Sequence, residues 1–314
     1  MGKRKRGGLT GLSGFVRKAF QETSQSQTTV SVNESPTEST KNDDGRQSHF
    51  VQKYDATGLV PHYSDPSQVP AHLQKYFYQR ERYLSLYSTP PGCLLDEEGW
   101  FSITPEAIAS HIAERCRCST IVDAFCGVGG NTIAFAKTCQ RVIAIDNDPT
   151  RLALARHNAQ IYGVADRVEF ILADYIAFAE SYVARDRDRD NDDRKIDVVF
   201  LSPPWGGPSY LSGPASPAKT NGEDNEDAEV TNSWPPFSLA SIEPMHGTEL
   251  FQLSRKMTKN VAYYLPRNTR MEEVSDLLQD GEEKVEVEEG WTGSKLKAIT
   301  CYFGGLASGQ GHMF

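Results

Sequence analysis

The sequence predicts an α/β protein: a doubly wound, mostly parallel sheet, closed by a C-terminal antiparallel hairpin and preceded by a helical N-terminal extension. Three observations predict it. Four short β-branched or apolar runs, 120–123, 141–146, 168–174 and 197–201, alternate with helical stretches. Those runs end in Asp123, Asp146, Asp174 and Ser202-Pro203-Pro204. Polar groups therefore gather at strand carboxyl ends, where open α/β sheets bind ligands. Beyond them, 284–288 and 295–303 pair naturally as a hairpin.

The chain opens with a tail. Lys3-Arg-Lys-Arg6 is a basic cluster, readable as a nuclear-import signal, a nucleic-acid tether or a plain solvated tail. Leu9 to Phe20 has helical spacing and suits docking to a protein partner, while 21–48 is rich in Ser, Thr, Gln and Asn and predicts a linker. Residues 1–53 thus form a tail, 54–115 a helical extension, and 116–314 the sheet domain. Within the extension, Pro70 to Tyr87 predicts a helix with Lys75, Arg80 and Arg82 among aromatics. Thr104 is a candidate cap for a helix starting at Pro105, with Ala107, Ile108, His111 and Ile112 on one side.

In the sheet domain, strand 120–123 runs into Asp123-Ala-Phe-Cys-Gly-Val-Gly-Gly-Asn131, and a helix follows to Thr138. Glycines at 127 and 129 let a backbone approach a ligand closely. A carboxylate before the turn suits a cationic amine better than a pyrophosphate, which prefers a bare helix N-terminus. Asp146, about 20 residues on, is placed for ribose hydroxyls, and Asp174 for an adenine amine. Asn147-Asp148-Pro149 opens the next helix. Prolines 203 and 204 must stop their strand. They leave a rigid loop with a hydroxyl, free carbonyls and the indole of Trp205, which suits an exocyclic amine on a flat ring. Residues 251–257 and 271–278 predict helices, and 260–265 a strand. Flexible insertions are expected near 183–195 and 211–233.

Composition bounds the rest. The chain has 314 residues and a net charge of −9, which argues against broad, non-specific nucleic-acid binding. Mean hydropathy is −0.51. No apolar run reaches membrane-spanning length and no signal-peptide core opens the chain, so a soluble intracellular protein without membrane association is expected. Six cysteines form no metal-ligand spacing, so free thiols and no metal are expected.

Taken together, Gly99-Trp-Phe-Ser-Ile-Thr-Pro-Glu106, the 123–132 turn, Ala144-Ile-Asp-Asn-Asp-Pro149, Ser202-Pro-Pro-Trp-Gly-Gly-Pro208 and Tyr264-Leu-Pro-Arg-Asn268 resemble the RNA cap guanine-N2 methyltransferases. That family has the Rossmann-like class I methyltransferase fold, and the likeness covers roughly 70–305. It implies S-adenosylmethionine as donor, held by Asp123, Asp146 and Asp174 with Thr104, Phe125, Gly127, Gly129, Asn131 and Asn147. It implies a 7-methylguanosine-capped RNA as substrate, with Trp205 stacked on the base and Ser202 and Pro203 facing the N2 amine. Lys75 and Arg267 match positions near the cap phosphates, and Tyr210 and Asn268 complete that side. The product would be 2,2,7-trimethylguanosine caps on small nuclear and nucleolar RNAs, made in the nucleus and its nucleolus. Two other readings stand beside this one: a base-amine methyltransferase of ribosomal or transfer RNA, and a non-catalytic cap-binding scaffold.

Overall fold

The computed structural model describes residues 51–186, 195–205, 236–278 and 284–307, together with two two-residue strands, Thr40–Lys41 and Gln47–Ser48, that pair with each other. By internal contacts the chain divides into Met1–Gln47 and Ser48–Phe314. The tail motifs Lys3–Arg6 and 9–20, and the insertion 211–233, lie outside the described residues.

Seven strands build the main sheet: β1 Thr120–Asp123, β2 Arg141–Asp146, β3 Val168–Leu172, β4 Val198–Leu201, β5 Val261–Pro266, β6 Val285–Thr292 and β7 Lys295–Phe303. Their order is β3-β2-β1-β4-β5-β7-β6. The first five are parallel, and β7 runs antiparallel to both β5 and β6. All four residues of β4 and all six of β5 are buried, as expected for strands covered on both faces. The order reverses between β1 and β4, so the carboxyl ends of β1, β2 and β4 share one crevice. The hairpin turns through Gly293 at φ +59°, the left-handed conformation that tight hairpins need.

The helices are α1 Gln74–Phe77, α2 Arg80–Tyr83, α3 Glu97–Ser102, α4 Glu106–Arg115, α5 Gly130–Thr138, α6 Pro149–Ile161, α7 Tyr175–Asp186, α8 Gly247–Arg255 and α9 Met271–Ser275. Here the structure differs from several expectations. The single helix expected over 70–87 is two short turns, α1 and α2, broken at Gln79 (φ −111°, ψ 9°). The break lets Phe77, Tyr83 and Tyr87 bury together, with Tyr87 5.6 Å from Trp100. Helix α4 buries Ile108, Ala109, Ile112, Ala113 and Arg115, whereas Ala107 is exposed and His111 bonds Glu288 at 2.9 Å. Asp174 stands two residues beyond β3, whose strand ends at Leu172. Helix α7 carries through Asp186 into the mixed-charge run, and 187–194 lie outside the described residues.

The extension is docked on α6 by buried polar side chains. Leu94 N donates to Asn158 Oδ1 (2.8 Å), and Asn158 Nδ2 donates to the carbonyls of Leu94 and Val128 (both 2.9 Å). Ala56 N donates to His157 Nδ1 (3.1 Å), while His157 Nε2 meets Gly92 O (2.9 Å). A ring that accepts at Nδ1 and donates at Nε2 is the neutral imidazole. Burial holds its pKa below the ordinary 6.5. Opposite, the fully buried Arg115 bonds Glu286 (3.0 Å) and Glu288 of β6, with its guanidinium 4.0 Å from the Tyr302 ring. It fastens α4 to the hairpin.

Candidate active site

The turn after β1 is pinned from both sides. Ala124 N donates to Phe200 O of β4 (3.1 Å), and Cys126 N to Ile145 O of β2 (2.9 Å). Gly127 N donates to Asp146 Oδ2 (2.9 Å), whose Oδ1 accepts from Asp148 N (2.9 Å). Gly129 has φ +92° and precedes α5; a Cβ there would lie 3.1 Å from Ala155 of α6. Gly127, at φ +51°, has open space where a Cβ would sit, so a ligand can approach its backbone.

Asp123, last residue of β1, is 1% exposed. Its Oδ2 accepts from Thr132 Oγ1 at 2.6 Å, and its Oδ1 has no hydrogen-bond partner. Burial pushes the carboxyl up to about 7, and the nearby Asp146 carboxylate adds to the effect. Asp146 is raised too, chiefly by burial. Asn131 donates through Nδ2 to Thr104 Oγ1 (3.0 Å), and its Oδ1 is likewise buried without a partner. Thr104 therefore does not cap α4. Pro105 holds the N-cap position, and the buried Thr104 hydroxyl turns to the glycine turn instead. This brings Thr104, Asp123, Asn131 and Asp146 to one end of the sheet.

The remaining expected donor residues lie around them. The Phe125 ring is 5.5 Å from Tyr175. Asn147 is exposed just past β2. Asp174 is exposed and caps α7, its Oδ1 accepting from Ala177 N at 2.9 Å. Thr132 and Asn158 escaped the sequence reading. Thr132 lies within the very motif that was quoted, while Asn158 showed only as a polar residue among the apolar positions Leu154, Ala155 and Ala159 of α6.

Across the switch point, β4 delivers Ser202 and Pro203 half-buried and buried, Pro204 exposed, and Trp205 half-buried. The indole lies 5.2 Å from the Tyr264 ring of β5 at 35°. It ends an aromatic column, since Tyr264 is 6.2 Å from Phe200, itself 5.1 Å from Phe135. Arg267 follows β5 and donates to Leu296 O (3.2 Å); Asn268 is half-buried beside it. Lys75 is exposed on α1 with its ammonium 4.8 Å from the Tyr76 ring. Tyr210 lies outside the described residues.

Comparison with known proteins assigns this arrangement. The model of the RNA cap guanine-N2 methyltransferase family matches residues 118–215 and 233–306, more than half of the chain. The chain belongs to this family. It is 36% identical to a trimethylguanosine synthase of Schizosaccharomyces pombe over 75% of its own length and 87% of that protein's. To the Saccharomyces cerevisiae trimethylguanosine synthase it is 32% identical, over 65% of this chain and 57% of that one. A 23S rRNA (uracil-C5) methyltransferase of Acidithiobacillus ferrooxidans is 39% identical, but over only 17% of this chain. As a member of the family the chain is an S-adenosylmethionine-dependent enzyme that methylates an RNA cap at guanine N2.

The residues at the ends of β1 and β2 suit that donor. A buried acceptor without a donor costs roughly 1–3 kcal/mol, and Asp123 Oδ1 and Asn131 Oδ1 are two such acceptors beside an open glycine backbone. An ammonium group would supply the missing N–H donors and pull the Asp123 carboxyl back to its charged form. Among the described residues no cluster of His, Cys, Asp or Glu is spaced to hold a metal ion, and no helix is long and apolar enough to cross a membrane.

Proposed function

We propose that the substrate is a 7-methylguanosine cap and the product a 2,2,7-trimethylguanosine cap. The observation that carries this reading is the half-buried Trp205 indole, braced on Tyr264 next to the strand end Ser202-Pro203. N7 methylation makes the base cationic. A cation over indole gains roughly 0.5–2 kcal/mol, added to roughly 1–3 kcal/mol for stacking a base. That surplus would favour the 7-methylated base over plain guanosine.

In this reading Asp123 and Asn131 hold the amino-acid end of the donor, with Thr104, Phe125, Gly127 and Gly129 around it. Asp146 takes the ribose hydroxyls, beside Asn147. Asp174 takes the adenine amine through the oxygen its helix cap leaves over. When bound, S-adenosylmethionine supplies a methyl group already activated on a sulfonium. The chain's work is then alignment. The Ser202 hydroxyl and the Pro203 carbonyl accept from the N2 amine, aim its lone pair and stabilise the positive charge that grows there. Lys75, Arg267 and Asn268 face the cap phosphates. The extension, roughly 54–115, closes the donor side of the same site through Thr104.

The tail reading follows from composition. Lys3–Arg6 would direct nuclear import, the nucleolus being what the family likeness implies, and 9–20 would dock a protein partner. A truncation starting near His49 is expected to keep its turnover on a small cap analogue.

The deciding experiment is mass spectrometry of 7-methylguanosine diphosphate after incubation with enzyme and donor. Two added methyl groups on the guanine amine support the proposal; a single one would support the substrate and limit the product to 2,7-dimethylguanosine. Equal rates on unmethylated guanosine caps would favour a general base-amine methyltransferase. Tight cap binding without transfer would favour a scaffold.

A further inference from the structure

The α1–α2 segment and the tip of the β6–β7 hairpin enclose a cleft of about 340 Å³. Gln79 and Arg82 line one side; the turn Thr292–Lys295 and Lys297 line the other. The volume falls near the lower end of the roughly 300–1,000 Å³ of small-ligand pockets, enough for a nucleotide-sized group. Its charge is one-sided. Arg82, Lys295 and Lys297 make no ion pair with a described carboxylate, although the chain as a whole carries −9. The Lys297 ammonium is held below its ordinary pKa, first by burial and then by the positive charges of Lys295, Arg267 and Arg82. Like charges crowded together without a counter-charge raise the energy of the empty cleft, and an anion relieves it.

Its position points to one kind of anion. Strand β5 is parallel to β4, so both carboxyl ends open on the same edge of the sheet. Strand β7 is antiparallel to β5 and pairs Ala298 with Pro266, so Lys297 and Lys295 begin at that edge too. Arg267 connects the two places. It follows the strand that braces Trp205 and bonds to Leu296, between the two lysines. From Tyr264 to Arg267 is three residues, or about 10 Å of extended chain. A polyanion leaving the indole platform along Arg267 would meet the cleft next.

We propose that this cleft binds backbone phosphates of the transcript body, beyond the cap's own phosphates. The inference rests on the cap reading above, and it assigns Arg82, Lys295 and Lys297 to RNA length rather than to the cap.

The test compares wild type with Lys295→Gln/Lys297→Gln, and separately with Arg82→Gln. All three side chains lie at the surface or half-buried, and thermal melts check that the variants fold. Kinetics are measured on 7-methylguanosine diphosphate and on a capped RNA of about ten nucleotides. For the double variant, KM for the capped RNA should rise about tenfold at low salt, while KM and kcat for 7-methylguanosine diphosphate stay within about twofold. Anisotropy of a fluorescent uncapped RNA across a potassium chloride series should show a salt slope shallower by about 1.4, at about 0.7 per neutralised single-strand phosphate. Lys295→Arg/Lys297→Arg should restore both. Unchanged KM for the long RNA with an unchanged slope would overturn the proposal. So would an equal loss on both substrates, which would assign the lysines to the cap phosphates. Displacement of the RNA by low-millimolar inorganic phosphate would mark a general anion site and overturn it as well. A wild type inactive on every cap would sink the cap reading instead, and the anisotropy series would still decide the cleft.

Discussion

The carboxyl ends of β1 and β4 neighbour each other at the switch point, yet they are built in opposite ways. At β1 the turn is tied down through the N–H groups of Ala124, Cys126, Gly127 and Gly129, and beside them stand two buried, unpartnered acceptors and a carboxyl raised to about 7. At β4 the prolines end the ladder, and an indole projects half-buried on an aromatic column. The first region stores unmet polar demand, the second offers a stiff apolar face. On the proposed reading, the difference teaches how one sheet edge serves two ligands. A cationic amine is recognised by charge in a dry site, where electrostatics is strong. A flat base is recognised by area and by its face.

The largest effect should come from removing the face. Trp205→Ala is expected to lower kcat/KM on a 7-methylguanosine cap analogue on the order of a hundredfold, from lost stacking and cation–π energy. Calorimetry should find donor affinity unchanged, and Trp205→Phe should keep partial activity. An Ala variant that melts far earlier would make the ring a core residue rather than a platform.

Next is the stored demand. Asp123→Asn keeps an acceptor for Thr132 but loses the charge, and should weaken S-adenosylmethionine binding roughly 10- to 100-fold, as for a charged hydrogen bond. Its effect on stability should have the other sign. The folded carboxyl titrates near 7 against an ordinary 3.8, so the folded state holds more protons between those values. Ligand-free wild type therefore loses stability as pH rises from about 4 through about 7. The Asn variant should lack that loss, and should melt higher than wild type at pH 8.

The same proton links to binding. Because an ammonium prefers the ionised Asp123, donor affinity should rise with pH, by up to about tenfold per unit, and level off above about 7. A flat affinity between pH 5.5 and 8 in titration calorimetry would place the ammonium elsewhere.

The smallest effect belongs to the scaffold that both regions share. His157 is neutral and holds Gly92 and Ala56 of the extension. Its folded pKa lies below the ordinary 6.5, so its contribution is present above that pH and is lost as pH falls below it. The protection factors of amides in 56–94, corrected for the slower intrinsic exchange at low pH, should therefore fall at pH 5.5 relative to 7.5 while those of the sheet strands do not. Equal protection at both would show that the apolar contacts of Leu73, Phe77 and Leu84 hold the extension by themselves.

Much of the donor region was legible in the chain itself. Asp123 and Asp146 close strands whose bounds match the sequence reading, because a buried parallel strand is a continuous apolar run and its end is marked by the first charge. The hairpin was legible for a similar reason, through the strand-like runs 284–288 and 295–303, although the first strand carries on to Thr292. Asp174 was less so. A strand-end acid and a helix cap look alike in sequence, and here the residue is both near the strand and capping α7. The broken helix at Gln79 was not legible, and the turn of the Thr104 hydroxyl away from its cap was implied only by the family resemblance, not by its local pattern. Each depends on what another segment presents: aromatic rings in one case, Asn131 in the other.

By itself, then, the sequence determined the alternation of elements, the acids at the strand ends and the Ser202–Trp205 strand stop, since all of these follow from local period, backbone chemistry and proline. Only the tertiary structure decided which polar groups stay unpaired and which are consumed. Asn158 and His157 are spent on the extension, Arg115 on Glu286 and Glu288, Thr132 on one oxygen of Asp123, and the other oxygen is left over. Hydrogen-bond satisfaction is a property of partners brought together across the chain, and no local pattern encodes which donor will arrive.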